Sequence, residues 1–427
     1  MTLRLIAAGL LALMASCAGP VTLPQEDADA VTEWTLEADR TGHGGANWHT
    51  TAIMHQAMHD AANAVEPRYV RWAPPAPDEP PGDGASLPAA IAAAARTVLI
   101  ALHPSDDREI GAVYARALAR LTPGPAVDRG IALGDAIGRA AVARRANDGF
   151  RSVRPFAADN ANGRWRPTPP NFATSYTTDS VPFLFPSREQ PGAKPPPPPF
   201  SPEASADALF TREIGGIDSP KRTPEQTAAA RFWAFQSSQR GFIRLAVRLL
   251  YAHPRGSLVD HARIMSQLAA AMADSAILTW TEKERYSVWR PVTVIQAGAG
   301  IQADPAWRPM IDTPEHPEYP SGHATDCFTG AAVLDHVFAP GTITAVVYIA
   351  PEAEAAAARP PEMTMGQHVQ SGTRPSDRRI FPSFDAAAEE CANSRVWSGA
   401  HFPAARAESK RLADAIAARA DAAVPPR

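Results

Sequence analysis

Ser257-Leu258-Val259-Asp260-His261-Ala262-Arg263-Ile264-Met265-Ser266-Gln267-Leu268-Ala269-Ala270-Ala271-Met272-Ala273-Asp274-Ser275-Ala276-Ile277-Leu278-Thr279-Trp280 decides the fold class. Leu258, Ala262, Met265, Ala269, Met272, Ala276 and Trp280 fall three and four apart. That spacing stacks them on one face of an α-helix, whereas a half-buried strand alternates at every second residue. Ser257 precedes the run as a helix start. Upstream, Thr223-Pro224-Glu225-Gln226 is a capping box with proline at the first helical position. Trp48 through Ala64 and Leu87 through Leu102 are alanine-rich with the same periodicity, and Thr122-Pro123-Gly124-Pro125 breaks the next pair of helices. The nearest strand candidate, Ile343 to Ile349, is short and isolated. No internal repeat is present. The expectation is an all-α helical bundle.

The 427 residues are 45% hydrophobic and 20% charged, which is enough apolar material for a sizeable core. Lys plus Arg is 41 against Asp plus Glu at 45, a net charge of −4. Bulk charge therefore points to no nucleic-acid partner, and any anion site must come from local placement of cations. The 43 prolines are many for a helical chain, and they cluster. Residues 31–149 read as N-terminal helices. Residues 150–222 contain Arg166-Pro167-Thr168-Pro169-Pro170 and the run Pro195 to Pro199, and read as a long Pro-rich loop without regular structure. Trp165, Phe172, Phe183 and Phe185 favour a loop wrapped on the domain over a solvated linker. Helices return over residues 223–427, and 31–427 reads as one domain.

The N-terminus reads as an export signal over residues 1–16: Arg4, then an apolar run from Leu5 to Ala15, shorter than the ~20 residues a spanning helix needs. Met14-Ala15-Ser16-Cys17 resembles a lipoprotein cleavage box, which makes Cys17 the lipidation candidate and residues 17–30 a tether. The other reading is a plain secretory signal with a chance cysteine; the expected location is the periplasm or cell envelope, or outside the cell by secretion, with membrane contact only through the lipid. Cys327 and Cys391 are left either to pair or to stay as buried thiols.

Three segments carry chemistry. Lys283 and Arg290-Pro291 are separated by six residues; seven positions along a helix return to nearly the same face ~10.5 Å on, and Pro291 is expected to end that helix near Arg290. In Tyr319-Pro320-Ser321-Gly322-His323, Ser321 is placed to cap a following helix, Gly322 to let backbone N–H groups approach an anion, and His323 to act as acid or base. In Ser394-Arg395, followed by His401, arginine offers a fork of donors matched to two oxyanion oxygens. Each segment alone also suits a solvated helix face or an incidental loop. Together they supply three cations, directed donors and two histidines, the set that a tetrahedral oxyanion requires.

In order, these segments resemble the three-part signature of the vanadium-dependent haloperoxidases, which the type 2 phosphatidic acid phosphatases and bacterial class A acid phosphatases share. The resemblance takes in Trp48 to Ala64, Trp165 to Pro170 and the helix entry at Thr223, most of the mature chain. It implies the haloperoxidase/acid phosphatase bundle and a vanadate cofactor. His401 is then the axial ligand to vanadium, or the phosphohistidine nucleophile of a phosphatase. His323 is the acid–base group, and Lys283, Arg290, Arg395, Ser321 and Gly322 hold the equatorial oxygens. The implied substrates are hydrogen peroxide and a halide, or a phosphate ester. His316, seven residues before His323, stands where bromide-oxidising members tend to carry histidine, which favours bromide or iodide.

One position departs from the signature. The family's third segment usually has an acid four residues after its histidine, and here Ala405 stands there. Either catalytic power is reduced or another carboxylate substitutes, with Asp274, Asp326 and Glu408 as candidates. A phosphomonoesterase and an inactive oxyanion-binding lipoprotein therefore remain as alternatives to a peroxidase. His55 and His59, four apart, have zinc-ligand spacing, but Gln56 and the packing residues around them favour structural histidines inside the bundle.

Overall fold

The computed structural model of the protein describes residues 29–41, 47–168, 175–177, 179–185, 190–235, 237–252, 256–338, 346–349 and 378–427. The expected export signal, Cys17 and Phe172 lie outside these. The chain is helical in order α1 (Ala30–Thr41), α2 (Asn47–Val65), α3 (Leu87–Leu102), α4 (Asp107–Ala119), α5 (Pro125–Arg145), α6 (Pro202–Gly215), α7 (Pro224–Phe235), α8 (Ser238–Ala252), α9 (Leu258–Tyr286), α10 (Pro291–Ala297), α11 (Gly322–Val337), α12 (Phe384–Trp397) and α13 (Pro403–Ala423). Strands β1 (Val153–Pro155) and β2 (Ser175–Thr177) pair antiparallel, with Arg154 opposite Tyr176. Strands β3 (Val346–Ile349) and β4 (Arg378–Phe381) do the same, with Val346 opposite Phe381. The all-α expectation holds, and these two short ribbons are additions at its margin.

Helix α9 is the axis of the second half. It begins where Ser257 donates its N–H to Asp260 Oδ2 at 2.7 Å, the reciprocal cap expected of a serine there. Most of its residues, down to Glu282 and Lys283, are buried. A helix enclosed on all sides belongs to a core, and α9 packs against α2, α8, α11 and α13. The capping box before α7 also forms: Thr223 N–H donates to Gln226 Oε1 at 2.9 Å, and Gln226 N–H to Thr223 Oγ1 at 3.1 Å. In the first half, α3 presents alanines to Gly130, Gly134 and Gly138 of α5. A Cβ on Gly134 would stand 2.2 Å from the Ala90 carbonyl oxygen, so only glycine permits this backbone approach. One hydrophobic cluster runs from Val31 and Trp34 through α9 to Ile416 and Ala420.

Two expectations need correction. Residues 150–222 are not wholly irregular, because Ser201 caps Ala204 N–H at 3.2 Å and Pro202 opens α6. The prolines before it start the helix rather than forbid it. Lys283 and Arg290 also do not share one helix. Ser287 is left-handed (φ 45°) and ends α9, and Pro291 begins α10 with Arg290 as its N-cap. The aromatic anchors of the Pro-rich segment do face inward: Trp165 and Phe185 are buried and Phe183 is half-buried.

Candidate functional site

The three segments meet at one end of α9. Lys283, fully buried in the last turn of that helix, donates to the carbonyls of Pro317 at 2.8 Å, Glu318 at 2.9 Å and Pro320 at 2.6 Å. All three of its donors therefore lie on the loop that feeds Ser321, and its charge is what it lends to the cluster. A cis Tyr319-Pro320 bond completes that loop. Ser321 follows as N-cap of α11, its Oγ accepting from Ala324 N–H at 3.4 Å, while its own N–H donates to Ser409 Oγ of α13 at 3.0 Å. A Cβ on Gly322 would meet only the Thr279 methyl, at 3.7 Å, so the first turn of α11 carries open space in front of it. His323 stands in that turn.

Arg290 is buried and links the other pieces. Its Nε donates to the His316 carbonyl at 2.8 Å and its Nη1 to the Ala400 carbonyl at 2.8 Å. Nη1 is also 3.2 Å from His401 Nε2, and Nη2 is 2.9 Å from His316 Nδ1. A guanidinium cannot accept, so His401 Nε2 is the acceptor and its ring proton resides on Nδ1. That Nδ1–H donates to Glu318 Oε1 at 2.9 Å, which also accepts Phe402 N–H at 2.9 Å. His401 thus has one tautomer, with the Nε2 lone pair turned toward the cations.

Arg395 comes from α12. Its carbonyl accepts the N–H groups of Ala400 at 3.0 Å and His401 at 3.1 Å, which folds the chain back to present the histidine. Gly399 makes that turn at φ 76°, and a Cβ there would stand 2.6 Å from the Gly215 carbonyl oxygen. Arg395 Nε is buried without a hydrogen-bond partner among the described residues. Cys327 and Cys391 form a disulfide, which settles the two open readings of that pair. Cys327 lies one turn beyond His323 on α11, and Cys391 one turn before Arg395 on α12, so the bond staples together two helices that carry the site.

The electrostatics are those of a pocket short of negative charge. Burial pulls Arg290 down to about 9 and Arg395 to about 10, and Arg395 lowers Arg290 further. Lys283 falls well below the usual lysine range, first through burial and then through Arg290. His401 and His316 are also held well below the ordinary histidine value by burial and by Arg290. Glu318 is pushed up to about 7 by burial, against the pull of Arg290 and Lys283. Three clustered cations face this one buried carboxylate, with Glu315 acting on Arg290 from further off. An oxyanion relieves that imbalance, and an unpartnered Arg395 Nε and an open Gly322 are suited to receive one.

Glu318 is the residue that sequence reasoning missed. Ala405 is buried against Ala193, Tyr319 and Leu412, where no acid fits without displacing apolar contacts. The three proposed substitutes are engaged elsewhere. Asp274 accepts from Phe183 and Leu184 N–H, Asp326 from Ser238 and Ser275, and Glu408 from Lys194 N–H and Arg411. The histidines of α2 make hydrogen bonds inside the bundle, His55 to Thr35 Oγ1 at 3.2 Å and His59 to the Val70 carbonyl at 3.0 Å.

Residues 263–425, which hold every piece of this cluster, match the family model for the VCPO second helical-bundle domain. The part of the chain that bears the site is therefore a helical bundle of the VCPO second-domain kind. An alignment over 140 residues, which covers 27% of this chain, is 30% identical to vanadium chloroperoxidase of Curvularia inaequalis and spans 23% of that protein's length. The fold is similar to that of a bacterial vanadium-dependent iodoperoxidase, with a TM-score of 0.71 at 21% identity over 96% of this chain and 98% of the other. It is also similar to a holo-type bacterial vanadium-dependent chloroperoxidase, with a TM-score of 0.63 at 18% identity over 95% of each. Within this stretch His401 lies against Arg290 and under the influence of Lys283 and Arg395, and its Nδ1 partner, Glu318, comes from the loop before α11.

Proposed function

We propose that this chain is a haloperoxidase that holds vanadate on His401 and uses hydrogen peroxide to oxidise a halide, with bromide or iodide favoured by His316. The observation that carries the reading is the fixed tautomer of His401, an Nε2 lone pair held against the buried Arg290 guanidinium with Glu318 on Nδ1. Bound vanadate supplies Lewis-acid activation of peroxide without a change of its own oxidation state. The protein's part is the rest. Arg290 and Arg395 neutralise the oxyanion, and Ser321 and the Gly322 N–H direct bonds to it. Lys283 contributes charge and fixes the loop. His323, in the first turn of α11, is the group assigned to take and return a proton. Glu318 keeps the Nδ1 proton of His401 in place so that Nε2 stays available.

The same cradle suits phosphate, which is the basis of the phosphomonoesterase alternative. The motive for an inactive binding protein was Ala405, and Glu318 on His401 removes that motive. One purified sample assayed with and without vanadate separates the readings. The expected result is bromination of a phenolic dye only after vanadate loading, inhibited by phosphate. Cleavage of a chromogenic phosphate ester without vanadate, inhibited by vanadate, would assign the chain to the phosphatases. His401→Ala is expected to abolish turnover, and full activity in that variant would remove the mechanism. We also propose export and lipidation at Cys17, to be checked by mass spectrometry of the mature N-terminus. Among the described residues no single helix is long and apolar enough to cross a membrane.

A further inference from the structure

A cavity of about 200 Å³ has Glu318 in its wall. Its lining includes Glu318 but none of Lys283, Arg290, Arg395, His323 or His401. The walls come from α6, the proline run before it, the Tyr286–Trp289 stretch and the chain around Phe402. Two features mark it as more than a packing gap. Phe200, at its mouth, is 52% exposed and left-handed at φ 66°, with its ring 6.1 Å from Trp289 in an edge-on arrangement. A phenylalanine that is both strained and exposed gains nothing from burial, and such residues collect where a ligand is held. Tyr286 has spent its hydroxyl on the Ala193 carbonyl, and its ring, edge-on to Tyr319, forms part of the wall.

The second feature is charge. Asp207 projects from α6 and is only half-buried; its Oδ2 accepts Ala404 N–H at 3.0 Å. Glu318 Oε1 is committed to His401 and Phe402. One oxygen of each carboxylate thus has no hydrogen bond among the described residues. The one cation in the lining, Arg164, donates to the Tyr286 carbonyl at 2.9 Å and lies 3.5 Å from Asp159. A carboxylate with a spare oxygen, Asp207, beside aromatic rings recognises a cation with an apolar body.

We propose that this cavity is a second ligand site that binds a single-ring organic amine as its ammonium ion at Asp207, with the ring against Trp289 and Phe200. The site shares Glu318 with the oxyanion cradle but none of its cations or histidines, and it does not rest on the peroxidase reading. Its size admits one ring and a short chain, and its charge rejects carboxylates.

Calorimetric titration of the full vanadate-free chain at neutral pH tests this with three isosteric probes. Phenethylamine is expected to bind once per chain, phenethyl alcohol at least tenfold more weakly, and phenylacetate not at all. Asp207→Asn retains the Ala404 bond; it is expected to weaken the amine at least tenfold and leave the alcohol unchanged. Ala204→Trp, which fills the cavity, should abolish both, while phosphate binding to either variant stays as in the parent and confirms that the fold is intact. Failure of the amine to bind would overturn the proposal. So would equal affinity for amine and alcohol, undiminished binding to Ala204→Trp, or competition between amine and phosphate.

Discussion

Glu318 sets the chemistry of His401 at the scale of single atoms. Its Oε1 takes the Nδ1 proton and the Phe402 N–H together. Glu318→Gln keeps an acceptor in place but removes the charge. The expected result is a ten- to hundredfold loss of vanadate affinity, the usual consequence of losing an outer-shell partner, with melting temperature little changed. Calorimetric vanadate titration against the parent measures it, and an unchanged affinity would show that Glu318 only fills space. The three motifs were legible in the sequence because each couples a charged residue to a proline, glycine or serine with a stated geometric job. Glu318 was not, because an acid in Glu315-His316-Pro317-Glu318 has no periodicity to say which way it faces. Only the turn at Gly399, which returns His401 to that loop, gives it a partner.

Helices carry the next level. The Cys327–Cys391 bond ties α11 to α12 across a separation of 64 residues. Cross-linking a loop of that size restricts the unfolded chain by about 4 kcal/mol in the chain-entropy model. The Cys327→Ala/Cys391→Ala variant should therefore lose several kcal/mol in urea unfolding and also bind phosphate more weakly, since His323 and Arg395 each lie one turn from a cysteine. Loss of stability with undiminished phosphate affinity would mean that packing alone aligns the two helices. Helix α2 makes a pH prediction. Burial holds His55 down to about 3, so the unfolded chain takes up its proton near pH ~6.5 while the native chain stays neutral. Stability from this group is present above pH ~6.5 and is lost as pH falls. Asp60, pushed up to about 7 on the same helix, acts in the opposite sense and masks the slope in the parent. The difference between parent and His55→Gln isolates it: the parent's advantage should shrink by about 1.4 kcal/mol per unit between pH 6.5 and 5. A pH-independent difference would show that the imidazole is solvated in the native state. Helix starts with a serine or threonine cap were legible, as at Ser257 and Thr223. Helices α6 and α10 were obscured because their opening prolines, Pro202 and Pro291, resemble helix breaks; only the surrounding packing distinguishes a break from a start.

The whole molecule holds a strained distribution of charge. Lys283 and Arg290 flank one loop, Arg395 arrives from α12, and the buried Glu318 offsets them only in part. Folding brings these groups together from segments more than a hundred residues apart, and no local pattern in the sequence states that they meet; the resemblance of the motif set did. Such a cluster binds an oxyanion only in the native state, so the anion stabilises the entire fold by mass action. At a hundred times its dissociation constant, phosphate or vanadate should add about 2.7 kcal/mol. In a thermal scan that appears as a rise of several degrees in Tm that saturates with anion concentration. Chloride at matched ionic strength supplies screening without tetrahedral oxygens and is expected to give almost none of it. Arg395→Ala should lose most of the rise, because its Nε is the buried donor left without a partner. Glu225→Gln, an exposed change at the α7 start remote from the cluster, should keep all of it. If chloride matched phosphate, or if Arg395→Ala kept the full rise, the cations would be serving the native packing alone, and the cradle would have no ligand to explain its charge.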